Sequence, residues 1–192
     1  QVVGGASLPS GAAPSGVALD PAGRNAFVTD PATRVVYRID TDPRSATRNQ
    51  LLGEVSDSTA ALSGGIAVTP DGAGALYGTL NLGARYLERA GIEPSPWNVA
   101  SSTGGVAVSP GGLVALLAGT GVGGSSLTAV WIENLASPTS WPIFLGGEVR
   151  DVVFGPDGKS AYAVNSTFNQ IQVVDVDSNS STVNQKVAEV GT

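Results

Sequence analysis

The sequence predicts an all-β chain built as a β-propeller of four four-stranded blades, and three observations carry that prediction. A turn phrase recurs four times, at Asp20–Gly23 (DPAG), Thr69–Gly72 (TPDG), Ser109–Gly112 (SPGG) and Gly155–Gly158 (GPDG). The copies are spaced by roughly 40–50 residues, the length of a unit that forms one propeller blade. Apolar runs with a period of two flank every copy, which is the spacing of a β-strand. The composition agrees: 42% hydrophobic residues with only 14% charged ones give a packed chain, not a disordered one.

The elements follow in order. In the first unit the strands are expected at Ser15–Asp20, Asn25–Asp30, Val35–Asp40 and Leu51–Val55. The second gives Gly64–Thr69, Ala75–Leu80, Arg85–Ala90 and Trp97–Ser102. The third gives Gly104–Ser109, Val114–Thr120, Leu127–Glu133 and Trp141–Gly146. The fourth gives Arg150–Gly155, Ala161–Ser166, Ile171–Asp177 and Thr182–Val190. Four strands per unit is the blade of a propeller. Proline fixes φ near −65° at the second turn position and the Asp and Gly that follow accept turn geometry, so each phrase closes a hairpin. The first strands carry Ala18, Ala67 and Ala107 on one face and Val17, Leu19, Ile66, Val68, Val106 and Val108 on the other. Small residues suit strands that crowd around a shared axis. A β-sandwich with chance repeats is the alternative, and four turn phrases in register weigh against it.

The stretch from Gly155 to Thr192 and the stretch LDPAGRNAFVTDPATRVVYRID, with Phe27-Val28-Thr29-Asp30 and Ile39-Asp40, resemble the YVTN family of lactonase-like β-propeller repeats. Units two and three are degenerate at the signature, with Thr79 and Gly119 in place of Asp30 and Asn165. The resemblance implies an architecture and not a reaction, because such propellers include surface proteins, binding modules and a few enzymes.

The expected blades span about 15–56, 64–102, 104–147 and 149–191, with 1–14 as the end of a preceding blade plus a linker. Propellers close with four to eight blades, most with six or more as the resemblance implies, so the reading is part of a six- to eight-bladed ring, or a half-ring completed by a second chain. A closed four-bladed ring is the other arrangement. Both ends of the sequence read as cuts between blades, and without methionine Gln1 reads as a processed or internal start.

Composition narrows the function. The absence of cysteine excludes disulfides and thiolate chemistry, and the absence of histidine removes the commonest general base and metal ligand. With net charge −6 and ten scattered basic residues, no basic stripe forms for a nucleic acid. No apolar run approaches the ~20 residues of a membrane span. No metal and no cofactor is expected. The strongest break in the repeat is Arg150-Asp151, where the other units have Ser15-Gly16, Gly64-Gly65 and Gly104-Gly105. Two charges at the entrance of an innermost strand point to a ligand at the channel mouth, or else to a local ion pair. Trp97, Trp131 and Trp141 form a candidate stacking platform for a carbohydrate, against the alternative of packing between blades.

Asp40, Asp42, Asp175 and Asp177 invite a calcium reading, but their spacing fits no EF-hand loop, and capping of turns is the better account. Asn165 and Asn179 begin N-glycosylation sequons, relevant in a secreted eukaryotic protein. Gly119–Ser126 lacks the lysine of a phosphate loop. The resulting expectation is an extracellular, cell-surface or periplasmic binding or scaffold module whose partner is a protein or a carbohydrate. Its chains are expected to meet further blades or one another. Two alternatives stand beside it. One is a lactonase-like hydrolase using Asp151, Glu133, Glu148 and Arg150 at the channel; the other is a structural assembly subunit.

Overall fold

A computed structural model describes residues 4–80, 83–88, 95–96, 104–119, 127–134 and 137–191. Among the described residues sixteen strands form four antiparallel sheets, each a meander of four consecutive strands. Blade one is β1 (Gly16–Leu19), β2 (Asn25–Asp30), β3 (Val35–Asp40) and β4 (Leu51–Ser56). Blade two is β5 (Leu62–Val68), β6 (Gly74–Thr79), β7 (Ala84–Glu88) and β8 (Ser95–Pro96). Blade three is β9 (Val106–Val108), β10 (Val114–Ala118), β11 (Leu127–Trp131) and β12 (Thr139–Ile143). Blade four is β13 (Val149–Phe154), β14 (Ser160–Asn165), β15 (Gln170–Asp175) and β16 (Gln185–Gly191). The sheets are therefore propeller blades, all-β throughout the described residues.

Each recurring turn phrase closes the hairpin between the first and second strands. Gly23, Gly72, Gly112 and Gly158 hold φ between 64° and 70°, a left-handed conformation that glycine adopts without a Cβ penalty. The amide of each donates three residues back, for example Gly72 to the Thr69 carbonyl at 2.8 Å.

The blades stack in sequence order. The first strands pack β1 on β5, β5 on β9 and β9 on β13, with no comparable packing of β13 on β1. The four blades thus form an open arc. Three apolar cores lie between successive blades, centred on Phe27, Ile66 and Tyr77, then Leu76, Val106 and Leu117, then Leu116, Val152 and Ala161. Both faces of β2 and β6 are covered, and all six residues of each are buried. A fourth core, on the outward face of blade one, joins Val28, Tyr37 and Ile39 to Ala6, Leu8 and Ala12 of the N-terminal segment.

Glycine is required where the first strands converge. A Cβ at Gly16 would lie 1.9 Å from the Gly64 carbonyl oxygen, and one at Gly65 would lie 2.3 Å from that of Gly104. The hydroxyl of Thr29 donates to the Gly64 carbonyl at 2.6 Å, tying blade one to blade two. Polar locks join blades one, two and four to the segments leading into them. Asp30 accepts from the Ala13 amide at 2.9 Å, while Asn165 and Gln172 donate to the Gly146 and Leu145 carbonyls at 2.6 and 3.2 Å. In blade two the lock is charged: Asp57 and Arg85, both buried, approach to 3.2 Å.

Strand bounds differ from the sequence reading where local chemistry intervenes. The last strand begins at Gln185 instead of Thr182, because the Thr182 hydroxyl is held by Asp175 at 2.5 Å and Asn184 turns with φ 61°. The outer strand of blade three is Thr139–Ile143 instead of Trp141–Gly146, since Gly146 and Gly147 take positive φ. The expected strand at 97–102 lies outside the described residues.

Candidate functional site

Blade three positions the most distinctive surface of the chain. In the registers of blades one to three, Arg38, Tyr86 and Ala129 occupy equivalent positions on the third strand, opposite Phe27, Leu76 and Leu116. The small Ala129 leaves a hollow on the face turned toward blade four. Trp141 of the outer strand stands opposite Ala129 and Trp131 ends β11, so both rings line that hollow. Together with Val114, Val176, Val183 and Asn184 they bound a cavity of about 280 Å³. Trp131, Val114 and Val176 also border a second cavity of about 240 Å³, lined further by Phe154, Asp157, Lys159 and Asp177. The two hollows adjoin along Val114, Trp131 and Val176 as a groove between blades three and four, each of them smaller than the roughly 300–1,000 Å³ of small-molecule clefts.

The groove is polar-rimmed. The Trp131 indole N–H donates to Glu133 Oε2 at 3.1 Å, which fixes the edge of the ring and leaves its face to the groove. Trp141 remains 46% exposed, so it is not consumed by packing between blades. On the opposite wall Lys159 meets Asp177 at 3.1 Å, and its backbone amide donates to Asp157 at 3.0 Å. The Asp177 carboxyl is held below the usual carboxylate range, first by the Asn179 amide and then by the Lys159 ammonium, and stays ionised at neutral pH. The same contact, led by the hydrogen bond to Asp177, raises the Lys159 pKa. Aromatic faces beside carboxylates that keep free lone pairs can stack a sugar ring and accept its hydroxyls.

The other candidates lie elsewhere. Arg150 and Asp151 fall at a β-bulge between Val149 and Asp151, at the end of the blade opposite to the groove. Arg150 is exposed and donates to Glu148 at 3.2 Å and to the Ser166 hydroxyl at 3.3 Å. Its carbonyl accepts from the Gly105 amide at 2.9 Å. Asp151 is exposed too, and its Oδ1 accepts from the Val152 amide at 2.9 Å. A Cβ at Gly105 would fall 1.9 Å from that oxygen, so this charged pair seats against a glycine of blade three. Glu133 stands beside Trp131 at the far end of the blade, so the four residues considered for hydrolysis do not converge. Trp97 lies outside the described residues.

The acidic pairs have one architecture in blades one and four. Asp40 accepts from the hydroxyls of Ser45 and Thr47 at 2.5 and 2.6 Å and from the Asp42 amide at 2.9 Å. Those hydroxyls lower its pKa. Asp175 repeats the pattern with Ser180, Thr182 and Asp177. These carboxylates cap their β3–β4 and β15–β16 loops. No group of three or more acidic residues among the described ones is arranged to hold a metal ion. Asn165 is fully buried with its amide in hydrogen bonds to Gly146 and Gln172, so the folded blade does not offer it for glycosylation. Asn179 is exposed in the loop between β15 and β16.

The sequence reading named both tryptophans and, as a turn cap, Asp177, but not Asp157 or Lys159. Asp157, Lys159 and Asp177 belong to turn and loop segments that read as hairpin chemistry, and only the packing of blade four on blade three brings them to the rings.

No protein-family model matches the chain, and no curated protein matches it. Solved structures do. The chain is similar to hydrazine synthase of Kuenenia stuttgartiensis, with a TM-score of 0.69 at 19% identity over 98% of this chain and 52% of that one. It is similar to a functionally unknown protein from Desulfotomaculum acetoxidans DSM 771, with a TM-score of 0.73 at 17% identity over 96% of this chain and 58% of that one. It is also similar to a chain of a nidogen/laminin complex, with a TM-score of 0.68 at 15% identity over 94% of this chain and 64% of that one. These likenesses show the fold, a β-propeller. The chain spans between half and two thirds of the length of the structures it matches. No described helix is long and apolar enough to cross a membrane.

Proposed function

We infer that this chain is a non-enzymatic binding module that takes a neutral carbohydrate in the groove between blades three and four. One observation carries the reading: Trp131 and Trp141, both accessible, line a single groove whose far wall bears Asp157, Lys159 and Asp177. Stacking supplies affinity and the carboxylates orient the hydroxyls, while the acidic rim disfavours an anionic sugar. A location outside the cytoplasm, at a cell surface or in a periplasm, accords with this role and with the resemblance to YVTN-type surface propellers. The lactonase-like reading has less support, because Glu133 lies at the opposite end of the blades from Glu148, Arg150 and Asp151.

Titration calorimetry against a panel of neutral and acidic oligosaccharides tests the reading. Binding of a neutral glycan is expected, with Trp141→Ala and Trp131→Ala each weakening it about tenfold, roughly 1.4 kcal/mol. Absence of binding across the panel, or unchanged affinity in both variants, refutes it. Retention of a protein partner that both variants still bind would also count against the groove as the recognition surface.

A further inference from the structure

The seam between blades two and three holds a cleft that the carbohydrate reading does not use. Pro70, Asp71 and Tyr86 of blade two and Leu113, Ile132 and Glu133 of blade three line a cavity of about 560 Å³, within the roughly 300–1,000 Å³ of small-molecule clefts. It meets the groove between blades three and four only along Gly111 and Leu113. Comparison of the blades shows what sets this cleft apart. Arg24, Leu113 and Lys159 hold one position in blades one, three and four, where their carbonyls accept from the Thr41, Ile132 and Val176 amides, each at 2.9 Å. The residue after each of those amides is acidic: Asp42, Glu133 or Asp177. In blade one Arg24 lies 3.6 Å from Asp42, and in blade four Lys159 lies 3.1 Å from Asp177. In blade three leucine replaces the cation. Among the described residues neither Glu133 nor Asp71 has a lysine or arginine partner, and no lysine or arginine lines the cleft. Asp71 stays ionised at neutral pH, because the Thr69 hydroxyl and then the Ala73 amide hold its carboxyl below the ordinary range. Tyr86 is 5% exposed, and burial, followed by the charges of Asp71 and Glu88, raises its pKa, so a neutral phenol sits in a negative potential. Its hydroxyl lies over Gly74, where an added Cβ would meet it at 2.6 Å, next to the turn that bears Asp71.

We propose that the cleft between blades two and three binds a small organic ammonium ion, whose charge takes the place that Arg24 and Lys159 fill in their own blades. A linear diamine is the fullest match, because the two carboxylates come from different blades and each can accept from one ammonium group. The alkyl chain lies along Pro70, Leu113 and Ile132, and the Tyr86 ring adds its own attraction for a cation. A bare metal ion is a poorer match. No group of three or more acidic residues among the described ones is arranged to hold one, and a hard cation takes six or more oxygen ligands.

Titration calorimetry of the 192-residue chain with cadaverine tests the site. Saturable binding is expected, and none of pentanediol, the uncharged analogue. Glu133→Gln keeps an acceptor oxygen for Trp131, and Asp71→Asn keeps one for Thr69 and Ala73, so both should fold. Each should weaken binding about fivefold, the scale of one exposed ion pair. Leu113 is 44% exposed, so Leu113→Lys should keep the parent's thermal transition. By restoring a cation within blade three it should abolish binding, whereas Leu113→Gln should retain it. Glu54→Gln removes a carboxylate between blades one and two and should change nothing. No saturable binding up to about 10 mM cadaverine overturns the proposal. So does equal binding of pentanediol, or displacement of cadaverine by an equal concentration of calcium, which marks a metal site. A loss in Glu54→Gln that matches the loss in Glu133→Gln marks attraction to the net charge of −6 alone and overturns it too. Unchanged affinity in both Glu133→Gln and Leu113→Lys does the same. None of these readouts uses a glycan, so the carbohydrate reading stands or falls separately.

Discussion

Replacing Gly65 with alanine probes the packing that sets the arc. Gly65 lies in β5, where the first strands of blades two and three converge, and its φ is not left-handed, so the substitution acts through space alone. The new Cβ would lie 2.3 Å from the Gly104 carbonyl oxygen and 3.1 Å from both the Gly105 carbonyl carbon and its Cα. Ordinary contact begins near 3.4 Å, so the two backbones must separate by about 1 Å. All three neighbours are main-chain atoms, and none can swing aside as a side-chain end would. Overpacking of this kind costs about 1–3 kcal/mol and more where backbone must move, so about 3 kcal/mol is expected. For a chain of this size 1 kcal/mol shifts Tm by roughly 2–4 °C, which gives a fall of about 6–12 °C. Gly111→Ala is the control: nothing lies within 4 Å of its Cβ, and the equivalent position in blade one is Ala22. It should stabilise by about 0.4–1 kcal/mol, since it removes unfolded-state freedom without strain. Thermal unfolding followed by circular dichroism reads both variants. A Gly65→Ala transition within 2 °C of the parent, roughly 1 kcal/mol or less, would refute the close approach of the blades.

Three further outcomes follow from the polar contacts. Asp57→Ala leaves the buried Arg85 guanidinium without its carboxylate and should cost about 3–5 kcal/mol in urea unfolding, with Asp57→Asn less damaging because it still accepts from Tyr77. Thr29→Val removes the bond to the Gly64 carbonyl and should cost about 1 kcal/mol, measured in the same way. Burial alone would raise the Asp57 pKa, but hydrogen bonds from the Thr59 hydroxyl, the Thr59 and Ala60 amides and Tyr77 outweigh it and hold the group below its ordinary value. Asp57 therefore stabilises the fold fully above the unfolded carboxylate pKa of about 3.9. That contribution is lost as pH falls through the lower folded value. An acid titration of Tm should show the loss in the parent and a shallower fall in Asp57→Asn.

Much of the architecture is legible in the sequence because propeller turns use few residue types. The four Pro-containing phrases locate every first hairpin, and the Gly pairs at 64–65 and 104–105 mark the convergence of first strands. The chemistry of the groove is less legible, since it depends on which blade faces which. Ala129 looks like any strand alanine, yet its size beside Trp141 opens the hollow. Asp177 reads as a loop cap and is one, while its second oxygen also anchors Lys159 on the groove wall. Arg150 stands out in sequence as a charged break, and in space it turns to Glu148 and Ser166. The exposed valines of blade four are invisible to periodicity, because a strand covered on both faces and one covered on a single face can share the same apolar run.

The sequential stacking of blades also sets where the native chain loosens first. Each blade packs only on its neighbours, so local stability behaves as a sum of unit terms and interface terms, as in a linear array. Blade one is capped on its outer side by the segment carrying Ala6, Leu8 and Ala12, and blades two and three are flanked on both sides. Blade four, in the single arc, is held through one interface, with every residue of β16 exposed. Amide exchange should therefore run as a gradient, fastest in β15 and β16 and slowest in β6 and β10, so that opening begins at one end of the array and travels inward.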